Sequence, residues 1–133
     1  MRFSTRARYG LRVCFMLGIG GGGCTPLSAL ERRTGLSGKY LEQLLGKLRT
    51  GGIVKTVRGV NGGYYLARDA SDISVNSILC ALDDGFEISD CASAVCDDSY
   101  CPNKKMFKKL HEYVNNMLDG VSLQDMINDQ KCK

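Results

Sequence analysis

Three cysteines stand at equal intervals late in the chain, and their thiols are the groups best suited to chemistry. Four residues separate Cys91 from Cys96 and Cys96 from Cys101, in a segment with little apolar content to bury them. Short loops bring such thiolates together at a small entropic cost, and sulfur ligands suit zinc or iron-sulfur clusters. Cys101 also precedes Pro102, which predicts a helix N-terminus whose positive end favours an ionised thiolate. The spacing therefore predicts a site formed by these three cysteines.

The remaining ligands of this site depend on what it holds. Zinc needs a fourth ligand, for which Asp97, Asp98 and the single His111 are candidates. A cluster on three cysteines tolerates a weaker non-cysteine ligand and is labile, as a sensor requires. Direct oxidation of the thiols is a third possibility. These alternatives stay open on the residues alone.

The chain has seven cysteines, and the other four are interpreted differently. Cys14 and Cys80 fall in helical segments and are expected to be small buried hydrophobic residues, whereas Cys24 and Cys132 are interpreted as incidental. A catalytic cysteine requires a base nearby, and a chain with one histidine offers few. We therefore expect that the protein is not an enzyme.

Charge is divided unevenly along the 133 residues. Residues 1–70 carry 12 Lys/Arg and three Asp/Glu, whereas residues 71–133 carry six and 11. A basic half of this kind suits double-stranded DNA, where phosphate neutralisation releases counterions. No run of about 18 apolar residues is present, so no membrane partner is expected. Clustered cysteines in an odd total favour a reducing compartment, which predicts a cytoplasmic protein.

Periodic apolar residues predict three helices in the first 50 residues. Their expected ranges are 6–17, 26–34 and 38–50. We expect Gly18 to end the first, Thr25 to be the N-cap of the second, and Ser37 to be the N-cap of the third. Two short helices across a tight turn predict a helix-turn-helix.

The third helix is amphipathic. Four leucines fall within a narrow arc: Leu41, Leu44, Leu45 and Leu48. The opposite side carries Lys39, Gln43, Gly46 and Thr50, a polar surface rich in hydrogen-bond donors. Gly46 costs roughly 1 kcal/mol of helix propensity relative to alanine. Either the glycine allows close approach to a partner, or it is a mildly destabilising residue with no function.

Strand-like residues follow directly, over 53–57 and 64–67, and predict a hairpin. Asn61 and Gly62 are expected to take the positive φ angles of a tight turn. Arg58 lies near the predicted tip. After a helix-turn-helix the hairpin is interpreted as a wing that reaches a minor groove, with a purely structural edge hairpin as the alternative.

The acidic half is predicted to hold three more helices. The first spans 72–82 with Ser71 or Ser74 as its cap, the second is long and opens at Pro102, and the third spans 122–128. An apolar seam recurs along the long helix, and we expect it to pack on its twin in a homodimer: Phe107, Leu110, Val114, Met117 and Val121. The predicted fold is mainly α with a small β-hairpin wing. Residues 1–70 form the DNA-binding region and residues 71–133 the cysteine loop and dimerisation region of one integrated domain.

Several of these motifs, in this order, resemble the Rrf-type winged-helix regulators, a family with IscR-, NsrR-, RirA- and CymR-like members. The resemblance spans nearly the whole chain and is closest in plan to the cysteine-triad members. It is carried by the segments 1–5 with 8–10, 40–44, and 58–59 with 62–64, together with the three cysteines.

This resemblance implies a transcription regulator that binds a palindromic operator as a homodimer. The DNA contacts we expect are Arg2, Thr5, Ser37, Lys39, Tyr40, Gln43, Lys47, Arg49, Arg58, Gly59, Asn61 and Gly62. Of these, Ser37, Lys39, Tyr40 and Gln43 face the major groove in the implied arrangement.

The resemblance also implies that Cys91, Cys96 and Cys101 hold an iron-sulfur cluster, either 2Fe-2S or 4Fe-4S. IscR-like members have five residues between successive cysteines, whereas this chain has four. They also carry a histidine three residues after the last cysteine, and that position here is Lys104. NsrR-like members use an acid where this chain has Arg8. The expected targets are genes of iron-sulfur biogenesis, iron, redox or cysteine metabolism. A regulator with zinc or redox-active thiols instead of a cluster is the alternative.

Overall fold

A computed structural model of the protein describes residues 3–20, 23–82 and 100–131. Its elements, in chain order, are α1 (Thr5–Ile19), α2 (Leu27–Thr34), α3 (Gly38–Thr50), β1 (Val54–Val57), β2 (Gly63–Leu66), a 3-10 turn (Ala70–Asp72), α4 (Val75–Ala81), α5 (Pro102–Gly120) and α6 (Leu123–Lys131). The two strands form one antiparallel pair. The predicted fold class, mainly α with a hairpin wing, is confirmed.

The core forms where α3 packs against α1 and the helices around it. The four leucines predicted to face inward are each at most 1% exposed. They share one buried cluster with Val13 and Cys14 of α1 and with Leu123 and Ile127 of α6. A fully buried leucine stabilises the fold by roughly 1.5–3 kcal/mol, so this face anchors α3 firmly and leaves the opposite face to solvent.

Helix α1 is longer than predicted. It continues through Gly18 to Ile19, so the expected stop at Gly18 is wrong. A Cβ atom at Gly18 would lie 2.6 Å from Cδ1 of Ile127. The glycine is therefore explained by the close approach of α6, a contact far away in sequence, and it does not end the helix.

The N-cap of α2 is Pro26, and Thr25 does not have the predicted capping role. Thr25 is buried and exchanges two backbone hydrogen bonds with Tyr64 of β2. The Thr25 N–H donates to the Tyr64 carbonyl and the Tyr64 N–H donates to the Thr25 carbonyl, both at 2.8 Å. This bridge attaches the hairpin to the start of the helix-turn-helix.

The hairpin pairs Val54 with Leu66 at one end and Val57 with Gly63 at the other. Positive φ occurs at Gly59, with φ 117°, and not at Gly62 as predicted. A Cβ at Gly62 would collide with the Val57 carbonyl oxygen. Gly62 is therefore required for close approach of the chain, while Gly59 makes the turn.

The predicted helix over 72–82 divides into a 3-10 turn and α4, whose N-cap is Ser74. Helix α5 begins at Pro102, as expected, and ends at Gly120. A second bridge joins Ser74 to Ser122, so that the start of α4 is held against the α5–α6 junction. The final helix continues beyond the predicted end to Lys131. In the described ranges no helix is long and apolar enough to cross a membrane.

The bridge at Thr25 predicts that Gly63→Ala weakens the fold. A Cβ at Gly63 would collide with the Thr25 carbonyl, which must move before the wing can stay in place. We expect the free energy of unfolding in urea to fall by about 1–3 kcal/mol. Gly23→Ala is the control, because no described atom lies within 4 Å of its Cβ position. Equal destabilisation by the two variants would contradict the assigned role of the bridge.

Candidate nucleic-acid interface and cysteine site

The outward face of α3 is where the predicted DNA-contacting residues concentrate. Ser37 is the N-cap, and its Oγ accepts a hydrogen bond from the Tyr40 N–H at 3.2 Å. Its hydroxyl can still donate to an oxygen of DNA. Lys39 and Gln43 are exposed on the first turns. Side chains of this kind hydrogen-bond base edges and phosphates in a major groove.

Tyr40 is half-buried and is positioned by a residue of α1. Its ring packs edge-on against the ring of Tyr9, with a centroid distance of 6.3 Å and an interplanar angle of 89°. Aromatic pairs favour this geometry. The position of the Tyr40 hydroxyl is therefore coupled to α1 as well as to α3.

A cleft of about 420 Å³ lies between the N-terminus of α1 and the side of α3. Four predicted DNA contacts from distant parts of the chain come together in its lining: Thr5, Tyr40, Gln43 and Lys47. Ser4 caps α1 here by accepting from the Ala7 N–H at 3.1 Å. The structure thus forms one continuous surface from α1 and α3.

Arg6 lines the same cleft and was missed by the sequence analysis. Its Nε atom is buried and has no hydrogen-bond partner in the part of the chain that the structure describes. A guanidinium N–H of this kind needs an acceptor, and phosphate is a good one. The sequence placed Arg6 in the basic half of the chain, but several other arginines lie there too, and nothing local distinguishes it from them.

The other predicted contacts lie apart from this cleft. Arg49 is exposed about 200° around α3 from Lys47, on the other flank of the helix. Arg58, Gly59 and Asn61 are exposed at the hairpin tip, and Gly62 beside them is half-buried. Arg2 lies outside the described residues.

Of the three predicted cluster ligands, only Cys101 lies within the described residues. It is the half-buried N-cap of α5, with Pro102 as the first helical residue. The Lys104 N–H donates to the Cys101 carbonyl at 3.2 Å. The predicted helix N-terminus at this cysteine is confirmed. Cys91, Cys96, Asp97 and Asp98 lie outside the described residues.

His111 does not share a metal ion with Cys101. The two residues are ten positions apart, which corresponds to about 15 Å along the axis of α5. Two ligand atoms of one zinc ion lie about 4 Å apart, since each bond is about 2.0–2.3 Å long, and the cysteine and histidine side chains together are too short to close the remaining distance. Helix geometry therefore removes His111 from the candidate fourth ligands within one protomer.

The remaining described cysteines differ from one another. Cys14 is buried as predicted, and burial raises the pKa of its thiol to about 12, so that it stays protonated. Cys80 is exposed, so the expectation of a buried residue is wrong. Helix α4 instead turns Ile78 and Leu79 toward the core. Within the described ranges, no three His, Cys, Asp or Glu side chains are grouped to hold a metal ion.

A separate apolar stripe is exposed along α5. Four of its side chains are 40–73% exposed: Met106, Leu110, Tyr113 and Met117. Their spacing of four, three and four places them within about 60° of the helix circumference. The predicted seam was partly wrong, because Val114 and Val121 pack inward against a buried cluster that contains Ala7 and Leu79. Met106 and Tyr113, which are exposed on the stripe, were missed because the apolar periodicity was assigned to the adjacent face of the same helix.

Comparisons with known proteins agree with this architecture. The chain is 32% identical over 133 residues to the HTH-type transcriptional regulator IscR of Serratia proteamaculans, covering 98% of this chain and 81% of the relative. The structure of CymR (YrzC), the global cysteine regulator of B. subtilis, matches with a TM-score of 0.83 and 30% identity, over 96% of this chain and 97% of that one. The T. potens IscR structure matches with a TM-score of 0.78 and 34% identity, over 98% and 88%.

The exposed polar helix, the tight turn before it and the hairpin after it define a winged-helix DNA-binding protein. Residues 3–129 match the Rrf2 family, described as iron-dependent transcriptional regulators, and the chain belongs to this family. It is a DNA-binding transcription regulator, and proteins of this family are not enzymes. The predicted family resemblance is confirmed.

Proposed function

We propose that this regulator binds a palindromic operator in the cytoplasm as a homodimer, and that an iron-sulfur cluster on Cys91, Cys96 and Cys101 changes its affinity for DNA. The observation that carries the DNA-binding part is the single surface formed by α1 and α3. Thr5 and Lys47, on different helices, line one cleft beside the exposed Gln43. A palindrome is the site that two such surfaces, related by a two-fold axis, recognise together.

Helix α3 enters the major groove in this proposal. Ser37, Lys39 and Gln43 meet base edges there, and Tyr40 is held beside them by Tyr9. Thr5, Lys47 and the half-buried Arg6 meet phosphates along one edge, and Arg49 meets the other. Arg6 lines the cleft and its Nε has no hydrogen-bond partner among the described residues, which supports a phosphate at its guanidinium.

The hairpin meets the adjacent minor groove in the same arrangement. Arg58, Gly59, Asn61 and Gly62 supply the contacts, and Arg2 adds one from the N-terminus. The turn at the tip requires glycine at two positions, since Gly59 takes a positive φ and the chain passes close to the Val57 carbonyl oxygen at Gly62. Arg58 and Asn61 are exposed on either side of this turn.

Two variants separate base reading from phosphate contact. Gln43→Ala is expected to lose about 1–3 kcal/mol of discrimination at one base pair of each half-site. Lys47→Ala is expected to weaken binding to all duplexes and to lower the salt slope by about one per protomer. The measurement is fluorescence anisotropy across salt concentrations, with a duplex that the wild-type protein selects from a random pool and with a scrambled duplex. Lys108→Ala on α5 is the control. Identical profiles for all three variants would contradict this assignment.

The homodimer is proposed to form through the exposed stripe of α5. Its spacing is typical of a seam in which side chains of two helices interlock, and its length suits a short helix pair. Because the inward face of α5 is already packed on the core, the stripe can join the protomers without disturbing their folds.

A charge within this stripe is expected to separate the protomers. Leu110→Glu places a carboxylate in the apolar seam of each copy, and burying it would cost several kcal/mol. We expect a monomer in sedimentation equilibrium at concentrations where the wild type is a dimer. Lys108→Glu, on the exposed opposite side of the same turn, is expected to remain dimeric. A dimer of wild-type strength from Leu110→Glu would place the interface elsewhere.

The three-cysteine site is proposed to be the sensor. When bound, an iron-sulfur cluster supplies a labile group whose loss or oxidation signals iron, oxygen or related stress. Cys101 suits thiolate ligation, since it is the N-cap of a 19-residue helix and its side chain makes no capping hydrogen bond. Helix α5 packs on α4, and its Leu118 lies in the same buried cluster as Leu79 of α4 and Ala7 of α1. A shift of α5 can thereby reach the DNA-binding surface.

Anaerobic purification tests the cluster directly. We expect a brown protein that contains iron and acid-labile sulfide, and a DNA affinity that changes when the cluster is removed. The combined Cys91→Ala, Cys96→Ala and Cys101→Ala variant is expected to lose the colour and that change in affinity. A Cys24→Ala, Cys80→Ala variant, which removes two exposed thiols elsewhere, is the control. A colourless protein after attempted reconstitution would contradict the cluster.

The similarity to CymR of B. subtilis favours a second candidate function. That protein is a global cysteine regulator, and its fold matches this chain with a TM-score of 0.83. The three cysteines would then hold zinc or respond directly to oxidants, and the target genes would concern cysteine. Zinc in the colourless protein, or a change in DNA affinity on thiol oxidation, would support this candidate.

A further inference from the structure

Most glycines in the described ranges are required by the fold itself, either by a positive φ angle or by a close neighbour. Three take positive φ angles: Gly35, Gly52 and Gly59. Others lie where a Cβ would strike a neighbour: Gly10, Gly18, Gly38, Gly51, Gly62 and Gly63. At Gly51, for example, the Cβ would lie 2.5 Å from the Cβ of Ala81. The packing and the turns of the fold therefore explain these glycines.

Gly23, Gly46 and Gly120 have neither explanation, but Gly23 lies outside the helices and Gly120 is the last residue of α5, so that Gly46 alone of the three lies inside a helix. It lies in the interior of α3 and its φ is not positive. No atom of the described residues lies within 4 Å of its Cβ position, and the residue is exposed. Glycine in a helix interior destabilises the fold relative to alanine. The helix therefore carries a destabilising residue that its own fold does not require.

The position of Gly46 indicates what it accommodates. It lies at the centre of the outward face of α3, within about 60° of Lys39, Gln43 and Thr50 around the helix. It also lines an open cleft of about 560 Å³ with Gln43 and Lys47. The Thr50 hydroxyl donates to the Gly46 carbonyl at 3.0 Å, so the local backbone is held in order. The missing side chain at Gly46 therefore lies in the middle of the surface that is proposed to bind DNA.

We propose that Gly46 is a DNA-contacting position, at which the missing side chain lets the backbone of α3 touch the duplex one turn beyond Gln43. This inference rests on the proposed function, because it requires the outward face of α3 to enter the groove. A Cβ at this position would hold the helix away from DNA and weaken the contacts made by Gln43 and Lys39. The stability lost in the free protein is recovered as closer contact in the complex.

The test is a pair of measurements with opposite expected signs. Gly46→Ala is expected to raise the melting temperature by about 2–6 °C. It is also expected to weaken binding to the duplex selected by the wild-type protein by roughly tenfold, and Gly46→Gln by roughly a hundredfold. Because the variant is more stable than the wild type, misfolding does not explain the loss. Asn128→Ala favours the helix by propensity and removes one exposed hydrogen bond from Gln124 on α6, and it is expected to leave affinity unchanged whatever its measured effect on the melting temperature.

The outcomes distinguish this inference from the function on which it rests. Wild-type affinity in a stabilised Gly46→Ala variant would overturn the role of Gly46 and leave the DNA-binding surface in place. An equal loss in Gly46→Ala and Asn128→Ala would also overturn it, since the effect would follow stability and not position. Failure of the wild-type protein to select any duplex would overturn both.

Discussion

The burial of one face of α3 is the interaction on which the rest of the molecule depends. Four leucines within a single arc are almost completely buried against α1 and its neighbours. Because they occupy one side of the helix, the polar residues of α3 that are proposed to bind DNA occupy the other. The hydrophobic effect therefore sets the orientation of the DNA-binding face, and the N-cap at Ser37 sets where that face begins. The surface is rigid because the core behind it is closely packed.

Two short backbone bridges join parts of the fold that surround α3. The bridge between Thr25 and Tyr64 holds the hairpin to the beginning of α2, and the bridge between Ser74 and Ser122 holds the α5–α6 junction to the beginning of α4. Each bridge joins segments that are distant along the chain. The wing and the long helix are thereby positioned relative to α3 by directional hydrogen bonds, which exclude sliding more effectively than apolar packing alone.

Features set by neighbouring residues could be predicted from the sequence, and features set by distant contacts could not. Ser37 and Pro102 mark helix starts by local rules, and the structure confirms both. Gly18 was misjudged because Ile127, more than a hundred residues later, explains it. The apolar seam of α5 was predicted, but some of its residues were assigned to the wrong face. The helix carries two adjacent apolar faces, and periodicity alone does not show which face packs on the core and which is exposed. Cys80 was expected to be buried like Cys14 and is exposed, because the face of a short helix that packs inward depends on contacts distant in sequence.

The arrangement of α5 explains how a sensor and a DNA-binding surface can be connected in so small a chain. Its first residue follows Cys101, and its exposed stripe suits a second copy. Its inward face packs on α4, in a buried cluster that also contains Ala7 in the first turn of α1. Helix α1 begins in the cleft that also contains Gln43 and Lys47. In the proposed mechanism, a displacement of α5 at its cysteine end is passed to α4, which packs on α3, or to the partner subunit, because close-packed side chains have little room to absorb it. Either movement would change the distance between the two recognition helices, on which binding to a palindromic site depends.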